Sequence, residues 1–166
     1  ANLRDTLGDL TREVREAYTE RSVDAGNGTP IAPEDTAAIA VTEEGTRVTF
    51  QVPVPTGTET MVDASTPIVI EWRNEDKNDN GKLDDDEDTD EDGVLTQRLV
   101  RIQNGEETPL GGANNITGCV MQLLPSTNAN SPYNTIFNVL LEASKTYGLN
   151  DNPIKAEAEC GINLVN

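Results

Sequence analysis

The spacing of apolar residues changes once along this chain, and that change limits the possible folds more than any other sequence feature. Near the N-terminus apolar residues recur every three or four positions, which is the period of one face of a helix. From Thr46 onward apolar and polar residues alternate, which is the period of a half-buried strand. Because no second helical pattern follows, the sequence predicts an α+β fold with antiparallel β-sheet.

The predicted N-terminal helix is amphipathic, with arginine and glutamate residues away from a single apolar stripe. That stripe consists of Leu3, Leu7, Leu10, Val14 and Ala17. We expect a helix over residues 1–25 that is already under way at Ala1. We expect it to pack across the apolar face of the sheet, because no other element is available to cover that face.

After a predicted loop at 26–45, residues 46–166 are expected to form a β-rich headpiece, and residues 1–166 a single domain. The expected strands are 46–54, 68–73, 94–102, 117–124, 135–143 and 154–165. Cys119 and Cys160 fall on the apolar sides of two of these strands. A Cys119–Cys160 disulfide is therefore the favoured prediction, with two buried free thiols as the alternative. A disulfide would place the protein outside the reducing cytosol.

The charge of the chain excludes several classes of function. Acidic residues outnumber basic residues by 30 to 12, giving a net charge of -18, and there is no histidine. No basic stripe exists to displace phosphate counterions, so nucleic acid is not expected as a partner. Without histidine, the common nucleophile–histidine and histidine–metal mechanisms are excluded. We therefore predict a protein that is not an enzyme, with no catalytic residues.

Half of the net charge lies in one short segment, which carries a calcium-loop pattern. Residues 75–92 contain eleven acids and two lysines, a charge of -9. Within it, residues 76–87 match the twelve-residue EF-hand loop, with Gly81 at the sharp turn. The predicted ligands are Asp76, Asn78, Asn80, the carbonyl of Lys82, Asp84 and Glu87. A disordered acidic linker would explain the charge but not the position of this glycine.

A second, weaker pattern follows directly. Asp88, Asp90 and Asp92 precede Gly93 with the same spacing, but the twelfth position is Leu99 and not an acid. A second site would have to borrow Asp84, Asp86 or Glu87, so one Ca²⁺ is predicted and a second is left open. Strands and not helices flank the loop, so we expect calcium to pin residues 74–93 structurally, without a helix-opening switch.

The order of segments resembles that of a known family. The segments that carry the likeness are 10–17, 46–52, 68–73, 93–101 and 161–166. Together they resemble the soluble part of type IV pilin-like proteins, nearest to minor pilins and the minor pseudopilins of type II secretion. The prepilin cleavage site that defines the family is absent from these residues.

This resemblance implies that the N-terminal helix is the second half of a long pilin-type helix, whose apolar first half anchors the subunit in the inner membrane before assembly. It implies other pilin or pseudopilin subunits as partners, a periplasmic or cell-surface location, and a Cys119–Cys160 disulfide similar to that of many pilins. The predicted function is a non-enzymatic structural subunit of a type IV pilus or type II secretion pseudopilus. The alternatives are a calcium-stabilised adhesion or carbohydrate-binding module of a secreted protein and, third, a carboxylate hydrolase.

Overall fold

A computed structural model describes residues 3–17, 39–42, 44–55, 62–125, 135–146 and 153–164 of the chain. These residues form one helix and ten strands, all paired antiparallel. The elements are α1 (Leu3–Arg15), β1 (Ile39–Val41), β2 (Arg47–Phe50), β3 (Pro53–Pro55), β4 (Val62–Ala64), β5 (Ile68–Asn74), β6 (Gln97–Gln103), β7 (Glu106–Leu110), β8 (Ile116–Pro125), β9 (Thr135–Thr146) and β10 (Pro153–Leu164).

The strands form two main sheets and a small ribbon. One sheet has five strands in the order β1-β2-β5-β6-β7, the other has three in the order β10-β9-β8, and β3 pairs with β4 alone. Phe50, Ile70 and Leu99 of the five-stranded sheet belong to the same buried cluster as Met121 and Val139 of the three-stranded sheet. The two apolar faces therefore share one core, as in a β-sandwich.

The predicted α+β class, with a helix packed on antiparallel sheet, is wrong. Helix α1 has 13 residues, so it is about 20 Å long and 10–12 Å wide, too small to cover strands of up to 12 residues. The apolar face of each sheet is instead covered by the other sheet. Alternation shows that a strand has one buried face, but it does not show which strands share a sheet.

Helix α1 adds its apolar stripe to this core beside β10. Leu3, Leu7, Leu10 and Val14 are buried, as the spacing predicted. The helix ends at Arg15, where Ala17 N–H donates to the Val14 carbonyl (2.9 Å) in a tighter, three-residue turn. Residues 1–2 and 18–25 of the predicted helix lie outside the described residues. No helix among the residues described is long and apolar enough to cross a membrane.

The strand predictions were correct in place where one face of the strand is buried, and they missed three short strands. The first predicted strand is divided into β2 and β3, and β1 lies inside the predicted loop, whose residues 26–38 are not described. The last strand of the five-stranded sheet, β7, was missed because four of its five side chains are exposed. The ribbon strand β4 was missed as well.

The predicted disulfide is also wrong, because Cys119 and Cys160 are both free thiols. The two residues do face the core, but Cys119 lies on β8 and Cys160 on β10, on opposite sides of β9. Cys119 pairs with Leu141 and Cys160 with Val139. Two strand spacings of about 4.8 Å put their Cα atoms beyond the roughly 7 Å that a disulfide can bridge.

Candidate metal centre

The acidic connection (residues 75–96) joins β5 to β6 and is closed at its base by backbone pairing. Glu75 N–H donates to the Thr96 carbonyl (2.9 Å), one step beyond the last strand pair, Asn74 with Gln97. The Asn74 side chain accepts from the Asp76 N–H (3.1 Å) and from the Gln97 amide (3.0 Å). The sheet therefore fixes where the connection begins and ends.

The first repeat (residues 76–87) wraps around its own first carboxylate. Asp76 Oδ1 accepts from the Asn80 N–H (2.9 Å), and Asp76 Oδ2 accepts from the Gly81 N–H (2.8 Å). Asn78 Oδ1 also accepts from the Asn80 N–H (3.0 Å), and Asn80 Oδ1 accepts from the Lys82 N–H (2.7 Å). These side chain–backbone turns hold the side chains of the first, third and fifth positions against the backbone of one loop.

Backbone conformation explains why this loop needs its glycine. Gly81 has φ 74° and Asp79 has φ 58°, both in the left-handed region. Glycine enters that region without steric cost, and aspartate and asparagine enter it more readily than other residues. The sequence prediction of a sharp turn at Gly81 is confirmed.

The later ligand positions of the first repeat close onto the earlier ones. Asp84 Oδ2 accepts from the side-chain amides of Asn78 and Asn80, each at 2.8 Å. Glu87 Oε1 accepts from the Lys77 N–H (2.9 Å) and the Asn78 N–H (3.2 Å). All six predicted ligand residues are thus joined through one hydrogen-bond network, Lys82 through its N–H. The carboxylate oxygens of Asp76, Asp84 and Glu87 do not all lie within 4.8 Å of one another.

The second repeat (residues 88–94) reproduces this geometry twelve positions later. Asp88 accepts from the Asp92 N–H (3.2 Å) and the Gly93 N–H (3.0 Å). Asp90 accepts from the Asp92 N–H (3.2 Å), and Asp92 accepts from the Val94 N–H (2.7 Å). Glu91 and Gly93 have φ 57° and 72°, matching Asp79 and Gly81. The two repeats therefore share the same four hydrogen bonds and the same two left-handed residues.

Glu75 supplies the acid that the second repeat lacks. Leu99 occupies the twelfth position but is buried in β6, facing the core. Glu75 Oε1 accepts from the Thr89 N–H (2.9 Å) and hydroxyl (2.8 Å), and Oε2 accepts from the Thr96 N–H (2.9 Å). Thr89 is the second residue of its repeat, as Lys77 is of the first. The Glu75 carboxylate therefore accepts from the second repeat at the same position at which the Glu87 carboxylate accepts from the first.

Ligand atoms of Glu75, Asp88 and Asp90 all lie within 4.8 Å of one another, so this acidic group can hold a metal ion. Sequence reasoning missed Glu75 and expected Asp84, Asp86 or Glu87 in its place. One signal was available, because Glu75 and Glu87 are twelve residues apart and each directly precedes the first aspartate of a repeat.

The negative charges of the acidic group (Glu75, Asp88 and Asp90) repel one another. Burial of Glu75 acts to raise its pKa, but hydrogen bonds from Thr89 and Thr96 outweigh that effect, and the pKa is lowered. Partial desolvation raises the pKa of Asp90, and the negative charges of Asp92, Glu75 and Asp88 add to the rise. Repulsion within the group thus disfavours full ionisation, and a bound cation would remove that repulsion.

Comparison of the chain with protein-family models, with curated proteins and with solved structures found no match. The function of the acidic connection is therefore inferred from its own geometry.

Proposed function

We propose that the acidic connection binds calcium, and that the bound calcium holds the link between β5 and β6 in one conformation within a non-enzymatic structural domain. The observation that carries the proposal is the duplication. The same oxygen-lined turn occurs at Asp76 and again at Asp88, and a buried glutamate closes each turn, Glu87 for the first and Glu75 for the second.

The donor atoms favour calcium over other metals. Every candidate ligand is a carboxylate, amide or backbone oxygen, which are the hard donors that calcium takes in sets of six to eight. Zinc and copper favour imidazole or thiolate, but the chain has no histidine and the connection has no cysteine. Magnesium requires a near-octahedral set and keeps several waters, whereas irregular loops of this kind suit calcium.

We assign the first ion to the predicted ligands of the first repeat. They are Asp76, Asn78, Asn80, the Lys82 carbonyl, Asp84 and Glu87. We assign the second ion to a set that adds Glu75 to the predicted carboxylates. That set is Asp88, Asp90, Asp92, the Val94 carbonyl and Glu75.

A structural role follows from what surrounds the ions. The flanking elements are strands of the five-stranded sheet, so binding has no helix pair to open. Residues 75–92 carry a charge of -9, and two divalent cations would neutralise four of those charges. A ligand that binds only the folded state raises stability by RT ln(1 + [L]/Kd), about 2.7 kcal/mol at a hundredfold excess over Kd.

Limited trypsin digestion tests this proposal directly, because Lys77 and Lys82 lie exposed in the first repeat. With a chelator we expect rapid cleavage after both lysines, and with 5 mM calcium (about 5 to 50 times the expected Kd) we expect protection. Cleavage at the other basic residues reports any effect of calcium on trypsin itself, and magnesium at the same concentration serves as the ion control. Equal cleavage after Lys77 and Lys82 with chelator and with calcium would contradict the proposal.

For the biological setting, we propose the subunit of a type IV pilus or type II secretion pseudopilus that the resemblance implied, acting through contacts with other subunits. The two-sheet core favours the alternative, a calcium-stabilised adhesion or carbohydrate-binding module. A module of that kind does not require a pilin-type helix packed across the sheet. Fractionation of the native source separates the two. A filament subunit sediments with sheared filaments, whereas a secreted module stays in the supernatant.

A further inference from the structure

The two repeats of the acidic connection exchange their closing acids. Glu75 directly precedes the first repeat but its carboxylate accepts from Thr89 in the second. Glu87 directly precedes the second repeat but its carboxylate accepts from Lys77 and Asn78 in the first. Each glutamate therefore has its backbone at the entrance of one repeat and its side chain in the other.

A single backbone N–H links the two glutamates. The Lys77 N–H donates both to the Glu75 carbonyl (3.0 Å) and to Glu87 Oε1 (2.9 Å). Ordering of the first repeat therefore fixes the backbone of Glu75, whose side chain belongs to the second repeat. In the reverse direction, ordering of the second repeat fixes Asp88, the residue that follows Glu87.

A separate observation beside Glu75 points to a ligand at the second repeat. The Thr96 side chain is 4 % exposed, and its hydroxyl oxygen is buried without a hydrogen-bond partner among the described residues. The Thr96 N–H donates to Glu75 Oε2 (2.9 Å), so the hydroxyl lies on a residue that is already bonded to the acidic group. A buried hydroxyl with spare capacity, next to three converging carboxylates, is suited to a cation or to water bound by that cation.

We infer that the two cation sites are coupled, so that an ion in either repeat raises the affinity of the other repeat for its own ion. This inference rests on the proposed function, and it adds that Glu75 and Glu87 are the residues that join the sites. Coupling between binding sites typically changes affinity 5- to 150-fold, and thermodynamic linkage requires the same factor in both directions.

The amide N–H groups of Gly81 and Gly93 report the two sites separately, because each donates to the first carboxylate of its own repeat. In a calcium titration followed by ¹H–¹⁵N NMR, we expect both signals of the wild type to move over one concentration range. The variant Asp90→Asn removes the charge of an exposed ligand of the second repeat only, leaving the weaker amide oxygen. We expect it to raise the calcium midpoint of Gly81 by at least about 5-fold.

Asp85→Asn is the matched control, since Asp85 is an exposed acid in the same segment that belongs to neither ligand set. It removes the same charge, so the effect of Asp90→Asn is measured relative to it. The reciprocal variant, Asp84→Asn, should raise the midpoint of Gly93 by the same factor. Unchanged signals outside residues 75–96 in the calcium-free spectra establish that the variants fold.

The outcomes separate the inference from the function beneath it. An equal Gly81 midpoint in Asp90→Asn and Asp85→Asn, with the Gly93 midpoint raised in the former, would overturn the coupling and leave two independent calcium sites. If neither glycine signal of the wild type moves up to 10 mM calcium (about ten times the weakest expected Kd), the proposed function fails and the coupling fails with it.

Discussion

Replacing Glu75 with glutamine removes one charge from the acidic connection while preserving the size of the side chain. Glu75 is 4 % exposed, and its two oxygens accept three hydrogen bonds from Thr89 and Thr96. Glutamine has only one acceptor oxygen, so at least the bond from the Thr96 N–H or those from Thr89 are lost. A buried hydrogen bond to a charged group contributes about 1.5–3 kcal/mol. We therefore expect Glu75→Gln to lower the free energy of unfolding by about 2 kcal/mol without calcium.

Calcium should enlarge this difference, because glutamine lacks the charge and the second oxygen with which Glu75 would bind the second ion. For a Kd on the order of 10⁻⁴ to 10⁻³ M, 5 mM calcium stabilises the wild type by about 1–2.3 kcal/mol for each ion. We expect the variant to lose that increment for the second ion, so its total deficit in calcium should be about 3–4 kcal/mol.

Urea unfolding measures both terms. Trp72 is the only tryptophan of the chain, and its indole N–H donates to the Ile116 carbonyl (2.9 Å) across the core, so its fluorescence reports loss of the fold. Unfolding is compared with chelator and with 5 mM calcium, with Asp85→Asn as the charge-matched control (calcium at about 5 to 50 times the expected Kd). If calcium stabilises wild type and Glu75→Gln equally, Glu75 is not a ligand and the reasoning fails.

Three further predictions concern the rest of the fold. Alkylation of the native protein should modify Cys160 before Cys119, because burial raises the pKa of Cys119 to about 12. If no thiol reacts after unfolding without reductant, the two cysteines form a disulfide and the free-thiol assignment is wrong. Gly111→Ala should lower the free energy of unfolding by about 1–3 kcal/mol in thermal melts, because Gly111 has φ 68° and a Cβ there would lie 2.7 Å from the Thr6 Cα. Gly8→Ala in α1 is the control: its Cβ would meet no atom within 4 Å, so it should be neutral or stabilising. Arg73 lowers the pKa of Glu107, so the pair stabilises the fold above the unfolded pKa of about 4.3. The advantage of the wild type over Glu107→Gln in melting temperature should shrink as the pH falls from about 5 to about 3, and an advantage that stays the same over that range would contradict this.

Local patterns in the sequence were sufficient for much of the secondary structure. The alternation over Ile116–Pro125, Thr135–Thr146 and Pro153–Leu164 correctly predicted three strands, because one face of each strand must be buried. The same reasoning missed Glu106–Leu110, since a mostly exposed edge strand carries no alternating signal. It also placed the helix across a sheet, because nothing local in a sequence tells which of several strands hydrogen-bond to one another.

The candidate site likewise has one part that follows from local sequence spacing and one part that depends on contacts between distant residues. The predicted ligands of the first repeat follow one another within twelve residues, so their spacing alone was enough to propose them. Glu75 lies outside the repeat that it serves and reaches it only because the Glu75–Thr96 backbone pair folds the connection back on itself. The disulfide prediction failed for a related reason, since two cysteines on one face of a sheet can still be separated by a strand.

Calcium bound per chain, measured by equilibrium dialysis, tests the central claim most directly. High potassium chloride screens the non-specific attraction of a chain of charge -18, so that only ions held by specific ligands are counted. We expect two calcium ions per chain near saturation, two for Asp85→Asn, and a single ion for Glu75→Gln. Absence of bound calcium in the wild type at millimolar concentrations would contradict calcium binding by the acidic connection.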